Sequence, residues 1–305
     1  MLTRILVPVD GSPFAEHALP HALSLAEREA AELHILLVHH VMLGIDAGWM
    51  PQPELYSKHV FDAEERYLTD LRDRVAAAGV PKIYIHHKEG EPSDLVATFA
   101  DDHDIDLIVM STHGRGGLQR AYLGSVADGV VRRAHTPVLL VRPGTEEGPR
   151  TLRRQEVRRI LVALDGSPVS ERALAVALDA AALEGAHCTV MQVVVPPVFV
   201  SAYIPDTARV SREEMDAASR RAHDYLDELE RKVPGVDDAR VVVHQQPATA
   251  ILQVADEIGA DMIALGTRGL GKVTRLLIGS VADKVVRGAQ VPVLVVPEKV
   301  GKPRK

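Results

Sequence analysis

The stretches "RILVPVDGSPFAEHAL", Arg4–Leu19, and "RILVALDGSPVSERAL", Arg159–Leu174, decide how the chain is to be read. Each opens on an apolar run with no alternation, breaks at Asp-Gly-Ser-Pro, and resumes with helical spacing. In the first stretch and its continuation Phe14, Ala18, Leu19, Ala22, Leu23 and Ala26 fall on one helix face. Ser12 and Pro13 suit the N-cap and first helical positions. Pro20 should bend the helix, because it lacks an N–H and crowds the preceding turn.

Working outward, the same offset of 155 (159 − 4) recurs. "THGRGGLQRAYLGSVADGVV" begins at Thr112 and "TRGLGKVTRLLIGSVADKVV" at Thr267, and Pro137 answers Pro292. A repeat this long is a duplicated domain, not a solenoid, whose period is about 20–50 residues. The expected organisation is a first domain over 1–143, a linker over 144–157, a second domain over 158–298 and a tail over 299–305. "TEEGPRTLRRQE", Thr145–Glu156, is charged and aperiodic, so its arginines (Arg150, Arg153 and Arg154) read as a solvated connection. Within each copy, apolar runs alternate with helical patterns. Val60, Glu64, Tyr67, Leu68, Leu71 and Val75 line one such helix after a loop with Pro51 and Pro53. Met215, Ala218, Ala222, Leu226 and Leu229 line its counterpart. Strands apolar on both faces with helices between them imply an α/β fold: two tandem doubly wound parallel sheets. Such sheets bind ligands outside the carboxyl ends of their strands.

Composition narrows the function. The 305 residues are 46% hydrophobic but only 4% aromatic, so the cores are aliphatic. A net charge of −7 and a pI near 6.1 argue against nucleic-acid binding. The one cysteine, Cys188, sits in an apolar run and reads as a buried strand thiol. No apolar run approaches the roughly 20 residues of a membrane helix, and no signal sequence is evident. A soluble cytoplasmic protein is the expectation.

The candidate rim comprises Asp10-Gly11-Ser12 and Asp165-Gly166-Ser167 after the first strand of each copy, and the glycine-rich loops after the fourth. Asp-Gly-Ser-Pro is also ordinary turn chemistry. Gly266, Gly271 and Lys272 nearly make a P-loop, but Val273 stands where Ser or Thr should hold magnesium, and Gly117 answers Lys272 in the first copy. The loop instead closes at Gly124-Ser125 and Gly279-Ser280. "SVAD" there reads as a capping box, with Ser125 and Ser280 as caps and Asp128 and Asp283 three residues on. A phosphate at that helix start would gain the helix dipole and main-chain amides. It would also meet Asp128 or Asp283, so a cation should compensate: Arg115, Arg120, Lys272, Arg275 or Mg²⁺.

These residues give the chain a resemblance to the universal stress protein family, in tandem form, over nearly its whole length. The family's ATP-binding members carry G-x2-G-x9-G-[ST]. The second copy matches with Gly266, Gly269, Gly279 and Ser280; the first has Gly114, Gly124 and Ser125, with Ser111 replacing the first glycine. The resemblance implies Rossmann-like domains of the adenine nucleotide alpha hydrolase type, each holding ATP, with Mg²⁺ as a candidate companion. Asp10 and Asp165 would meet ribose or adenine; Pro8 and Val9, with Ala163 and Leu164, would line the base pocket, and Val38 and Val193 would flank the base. The phosphates would fall to Gly114, Arg115, Gly116, Gly117, Arg120, Gly124, Ser125 and Val126 in one copy. In the other they would fall to Gly266, Arg268, Gly269, Gly271, Lys272, Arg275, Gly279, Ser280 and Val281. The second copy has Gln245 in the place of Gly90, so its outer edge should differ.

No catalytic set is evident. His34, His39, His40, His86 and His87 lie on or beside strands without H-E-x-x-H spacing, and read as structural. His113 in the loop is answered by Arg268, and no nucleophile elbow occurs. The expectation is a nucleotide-dependent stress-response module with at most slow hydrolysis. The alternatives are an ATP-free interaction protein and an ATP-dependent enzyme of the related α/β class. The duplication and the resemblance imply an intrachain pseudo-dimer pairing the last strands, a homodimer of chains, and a regulatory protein partner of unknown identity.

Overall fold

A computed structural model describes residues 2–28, 30–40, 53–113, 123–144, 152–196, 205–267 and 278–298. They form two compact units, the first reaching Glu156 and the second spanning Val157–Glu298. Each is an α/β doubly wound sheet, as the alternation of strand and helix patterns implies.

In the first unit the strands are β1 (Arg4–Val9), β2 (Glu32–His39), β3 (Ile83–Glu89), β4 (Leu107–Ser111) and β5 (Val138–Val141). Their spatial order is β3-β2-β1-β4-β5, and every pairing is parallel. The chain therefore steps outward from β1 to β3 and then returns to β4, which makes the β1/β4 edge the switch point. The helices are α1 (Pro13–Glu16), α2 (Leu19–Arg28), α3 (Pro53–Ala77), α4 (Pro92–Asp102) and α5 (Ser125–Arg133). Ile5, Leu6, Val7, Leu33, Ile35, Leu36 and Ile108 are all fully buried, as strands covered on both faces require.

The second unit repeats the plan with β6 (Arg159–Leu164), α6 (Pro168–Glu184), β7 (His187–Val194), α7 (Pro205–Lys232), β8 (Asp238–Val243), α8 (Pro247–Ile258), β9 (Met262–Gly266), α9 (Ser280–Gly288) and β10 (Val293–Val296). Its order is β8-β7-β6-β9-β10, again parallel. Cys188 is fully buried in β7, and burial pushes its thiol up to about 12, which makes it unreactive. Among the described residues, no helix is long and apolar enough to cross a membrane.

Pro20 has the anticipated effect. The first helix breaks at His17 and restarts at Leu19, whereas α6, with Ala175 at the matching position, runs unbroken for 17 residues. Pro53, placed in a loop by the sequence reading, instead opens α3, where a missing N–H costs nothing. The constant offset also conceals a local slip. Gly90 N–H donates to His39 C=O, and His244 N–H to Val194 C=O, both at 3.1 Å. By this pairing His244, not Gln245, answers Gly90, and Gln245 is an added residue. Gly90 has φ +150°, a turn only glycine enters readily; the longer turn in the second unit avoids it.

Candidate functional site

At the carboxyl end of β1, Asp10 Oδ1 accepts from Ser12 N–H at 2.9 Å, and Ser12 Oγ caps α1 by accepting from Ala15 N–H at 3.3 Å. The second unit matches it: Asp165 Oδ1 accepts from Ser167 N–H at 3.0 Å and Ser167 Oγ from Ser170 N–H at 3.2 Å. Gly11 and Gly166, at φ +79° and +77°, make the turn possible. The turn chemistry is therefore real, and it fixes each aspartate at the rim. Pro8, Ala163, Val38 and Val193 are half-buried along the same end of the strands, while Val9 and Leu164 are buried.

A second carboxylate follows in the helix after each turn. Buried Glu16 takes both terminal nitrogens of Arg74, at 2.8 and 3.3 Å, and this holds the guanidinium pKa above its usual value. In the second unit Tyr225 Oη donates to Glu171 at 3.3 Å. Burial first, then Glu16 in one unit and Glu171 in the other, pushes the Tyr67 and Tyr225 phenols up.

The loops after β4 and β9 are closed by one backbone device. Thr112 N–H donates to Val141 C=O, and Gly124 N–H returns to Thr112 C=O, both at 2.8 Å. Thr267 and Gly279 repeat this with Val296, at 2.8 and 2.7 Å. A Cβ on Gly124 would sit 2.9 Å from Thr112 O, so this glycine is needed for close approach rather than for a positive φ. Gly114, Arg115, Gly116, Gly117, Arg120, Arg268, Gly269, Gly271, Lys272 and Arg275 lie outside the described residues. Ser111 ends β4 buried, opposite Val141, and Gly266 ends β9 opposite Val296.

The capping box is corrected. The N-caps of α5 and α9 are Gly124 and Gly279, because their carbonyls accept the first helical bonds, from Asp128 and Asp283 at 2.9 Å. Ser125 and Ser280 are first helical residues, exposed, and among the described residues no side chain caps either helix. Asp128 instead binds Arg132 one turn on, at 2.7 and 2.9 Å, and Asp283 binds Arg287 at 2.9 and 3.0 Å. Each first-turn aspartate thus has a cation on its own helix, for which the i,i+4 spacing of aspartate and arginine was the available signal; the loop cations Arg115, Arg120, Lys272 and Arg275 lie outside the described residues. The first-turn amides, with no capping side chain among the described residues, suit an anion.

Sequence reading also missed Asp106 and Asp261. Asp106 Oδ2 accepts from the amides of Thr3 and Arg4, at 2.7 and 3.0 Å, and Asp261 Oδ2 from Arg158 and Arg159, at 2.8 and 2.9 Å. Each latches the start of the unit's first strand. Finally, three side chains distant in sequence meet at the outer rim of the first unit: His39, Glu64 and His87.

Comparison with known proteins agrees with this geometry. The model of the universal stress protein family matches residues 1–142 and again 156–297. The universal stress protein Rv2005c of Mycobacterium tuberculosis is 31% identical over 303 residues, covering 95% of this chain and 96% of that protein. Rv2623 of the same organism is 30% identical over 306 residues, covering 96% of each. A crystal structure of a universal stress protein from Archaeoglobus fulgidus superposes with a TM-score of 0.67 at 24% identity, covering 98% of this chain and 97% of that one, and shares the fold.

Proposed function

Since the chain belongs to the universal stress protein family in its tandem two-domain form, we propose that each unit binds an adenine nucleotide, ATP with Mg²⁺, and serves as a nucleotide-dependent stress-response module with at most slow hydrolysis. One observation carries this reading. In both units a helix N-terminus that no described side chain caps is tied, through Gly124 or Gly279, to the end of the strand beside the switch point. That is the arrangement in which main-chain amides and a helix dipole hold phosphate. The residues fit the group: Ser125-Val126 and Ser280-Val281 would meet phosphates, Asp10 and Asp165 the ribose or base, and Pro8-Val9, Ala163-Leu164, Val38 and Val193 the adenine faces.

The test exploits a conflict of signs. Ser280→Asp adds an acid to the first turn of α9, which favours the helix by about 0.3–1 kcal/mol. The same charge opposes a phosphate. If the site binds ATP, calorimetry with Mg-ATP should show the second site weakened at least tenfold in a protein that melts no lower than wild type. Gly269→Glu, which puts bulk and charge in the glycine loop, should likewise abolish binding at that site while leaving the melt unchanged. An unaltered affinity in both variants would refute the site, because ATP would then bind elsewhere; a wild-type protein that purifies empty and binds no ATP would refute the reading in favour of an ATP-free adaptor.

A further inference from the structure

His39 is the last residue of β2, and His87 lies on β3 opposite Leu37. Residues two apart on a strand share a face, so both imidazoles stand on the face that α3 covers. Glu64 descends from α3 between them. Its Oε2 lies 2.8 Å from His39 Nδ1 and 3.0 Å from His87 Nε2. The side chains of Glu64, His87 and His39 are only 9, 10 and 17% exposed. Phe61, one turn before Glu64, stacks on the His87 ring at 4.1 Å and meets His39 edge-on at 6.4 Å, as a partial lid.

We propose that His39, Glu64 and His87 form a site for a zinc-class divalent cation in the first unit, with no counterpart among the described residues of the second. The three donor atoms all lie within 4.8 Å of one another. Zinc bonds of about 2.0–2.1 Å in a tetrahedron separate ligand atoms by about 3.3 Å, so the two Glu64 contacts would open by a few tenths of an ångström while the two imidazole nitrogens, within 4.8 Å of each other, settle to the same spacing. Two imidazole nitrogens and one carboxylate oxygen are the donor set of open zinc centres, with the fourth position left for water. A dication would also compensate a carboxylate drawn from water beneath an aromatic ring. Because the ligands come from two strands and a helix, no short motif marks them. The second unit has Val194 and Val241 at the matching strand positions, and buried Ala222 in the place of Glu64 when Tyr225, the partner of Glu171, is set against Tyr67, the partner of Glu16; none of the three can ligate a metal through its side chain. Bound metal would cross-link α3 to β2 and β3.

The competing account is a hydrogen-bonded triad that needs no metal. To decide, the full chain is stripped with a chelator and titrated with Co²⁺, then with Zn²⁺. The proposal expects one equivalent per chain, a four-coordinate cobalt visible band that zinc displaces, and a higher melting temperature with zinc. Glu64→Gln and His87→Gln, which retain hydrogen-bonding groups, should each lower affinity at least tenfold and abolish the thermal shift. Should those variants fold poorly, imidazole nitrogen NMR of the wild-type chain reads the site directly: zinc must shift His39 Nδ1 and His87 Nε2. No cobalt band and no nitrogen shift would establish the triad alone. Binding that survives in both variants would place the metal on other histidines. Either result overturns the site.

Discussion

The two units share strand order, rim and loop closure, yet their histidines are unequally divided. Of the fourteen, only His187, His223 and His244 lie in the second unit. In the first, His34 and His86 approach at 3.1 Å and stack at 5.2 Å, with the His103 ring on Phe99 at 3.8 Å. Strand pairing sets Arg240 in place of His86; Val176, Thr189 and Ile258 hold the places of His21, His34 and His103. Aliphatic packing was kept through the duplication while the half-buried polar positions diverged. The two halves should therefore respond differently to acid.

That difference gives the largest expected effect. Burial lowers His21 and His86 to about 4, and lowers His34 as well. A histidine whose folded pKa is depressed stays neutral in the fold while the unfolded chain takes up its proton near pH 6.5. Stability is thus complete above pH 6.5 and is lost as pH falls toward 4. His21 alone contributes a loss on the order of 2–3 kcal/mol at the acid end. Calorimetry between pH 7 and 4.5 should show one half of the chain melting progressively earlier while the other holds. His21→Val, the residue of the second unit, should flatten the acid-sensitive transition; an undiminished slope would mean that His21 is protonated in the folded state.

A middling effect concerns how α5 and α9 seat. A Cβ on Gly129 would lie 2.5 Å from Ser93 Cβ, a contact rooted in the α4 backbone. Lys284 takes the matching position in α9, where the close approach moves to Gly288, 2.6 Å from the flexible tip of Leu252. Gly129→Ala should therefore cost about 1–3 kcal/mol in denaturant melts, as overpacking does, and Gly288→Ala clearly less. Equal costs would show that α4 yields as easily as a leucine rotamer.

These contrasts mark what was legible in the sequence. Apolar runs and helix periodicity are local signals, so the doubly wound plan and both rims could be read directly. So could the turns at Asp10 and Asp165 and the break at Pro20, which depend on single residues. The capping box was misplaced by one residue, because "GSVAD" admits glycine or serine as cap and only the carbonyl geometry of Gly124 chooses. The slip at His244 was invisible because an added residue there restores the offset. Latching by Asp106, and the meeting of His39, Glu64 and His87, join residues distant in sequence, which no periodicity records.

The smallest expected effect tests the duplication at one backbone position. Gly185 caps α6 in the left-handed region at φ +65°, and Ala186 N–H donates back to Ala181 C=O at 2.9 Å. The first unit makes the same bond, Ala31 N–H to Ala26 C=O at 2.8 Å, but places Ala30 there at φ +49°. An L-residue pays roughly 1–2 kcal/mol for that conformation, partly offset by the greater freedom glycine has in the unfolded chain. Nothing lies within 4 Å of a Cβ built on Gly185, so its replacement probes the backbone alone. Gly185→Ala should cost about 1 kcal/mol and Ala30→Gly should gain about 0.5–1 kcal/mol in chemical denaturation. Opposite signs of comparable size would confirm one cap filled by two residues. If Ala30→Gly destabilises, the methyl group of Ala30 contributes something the exposed position does not reveal.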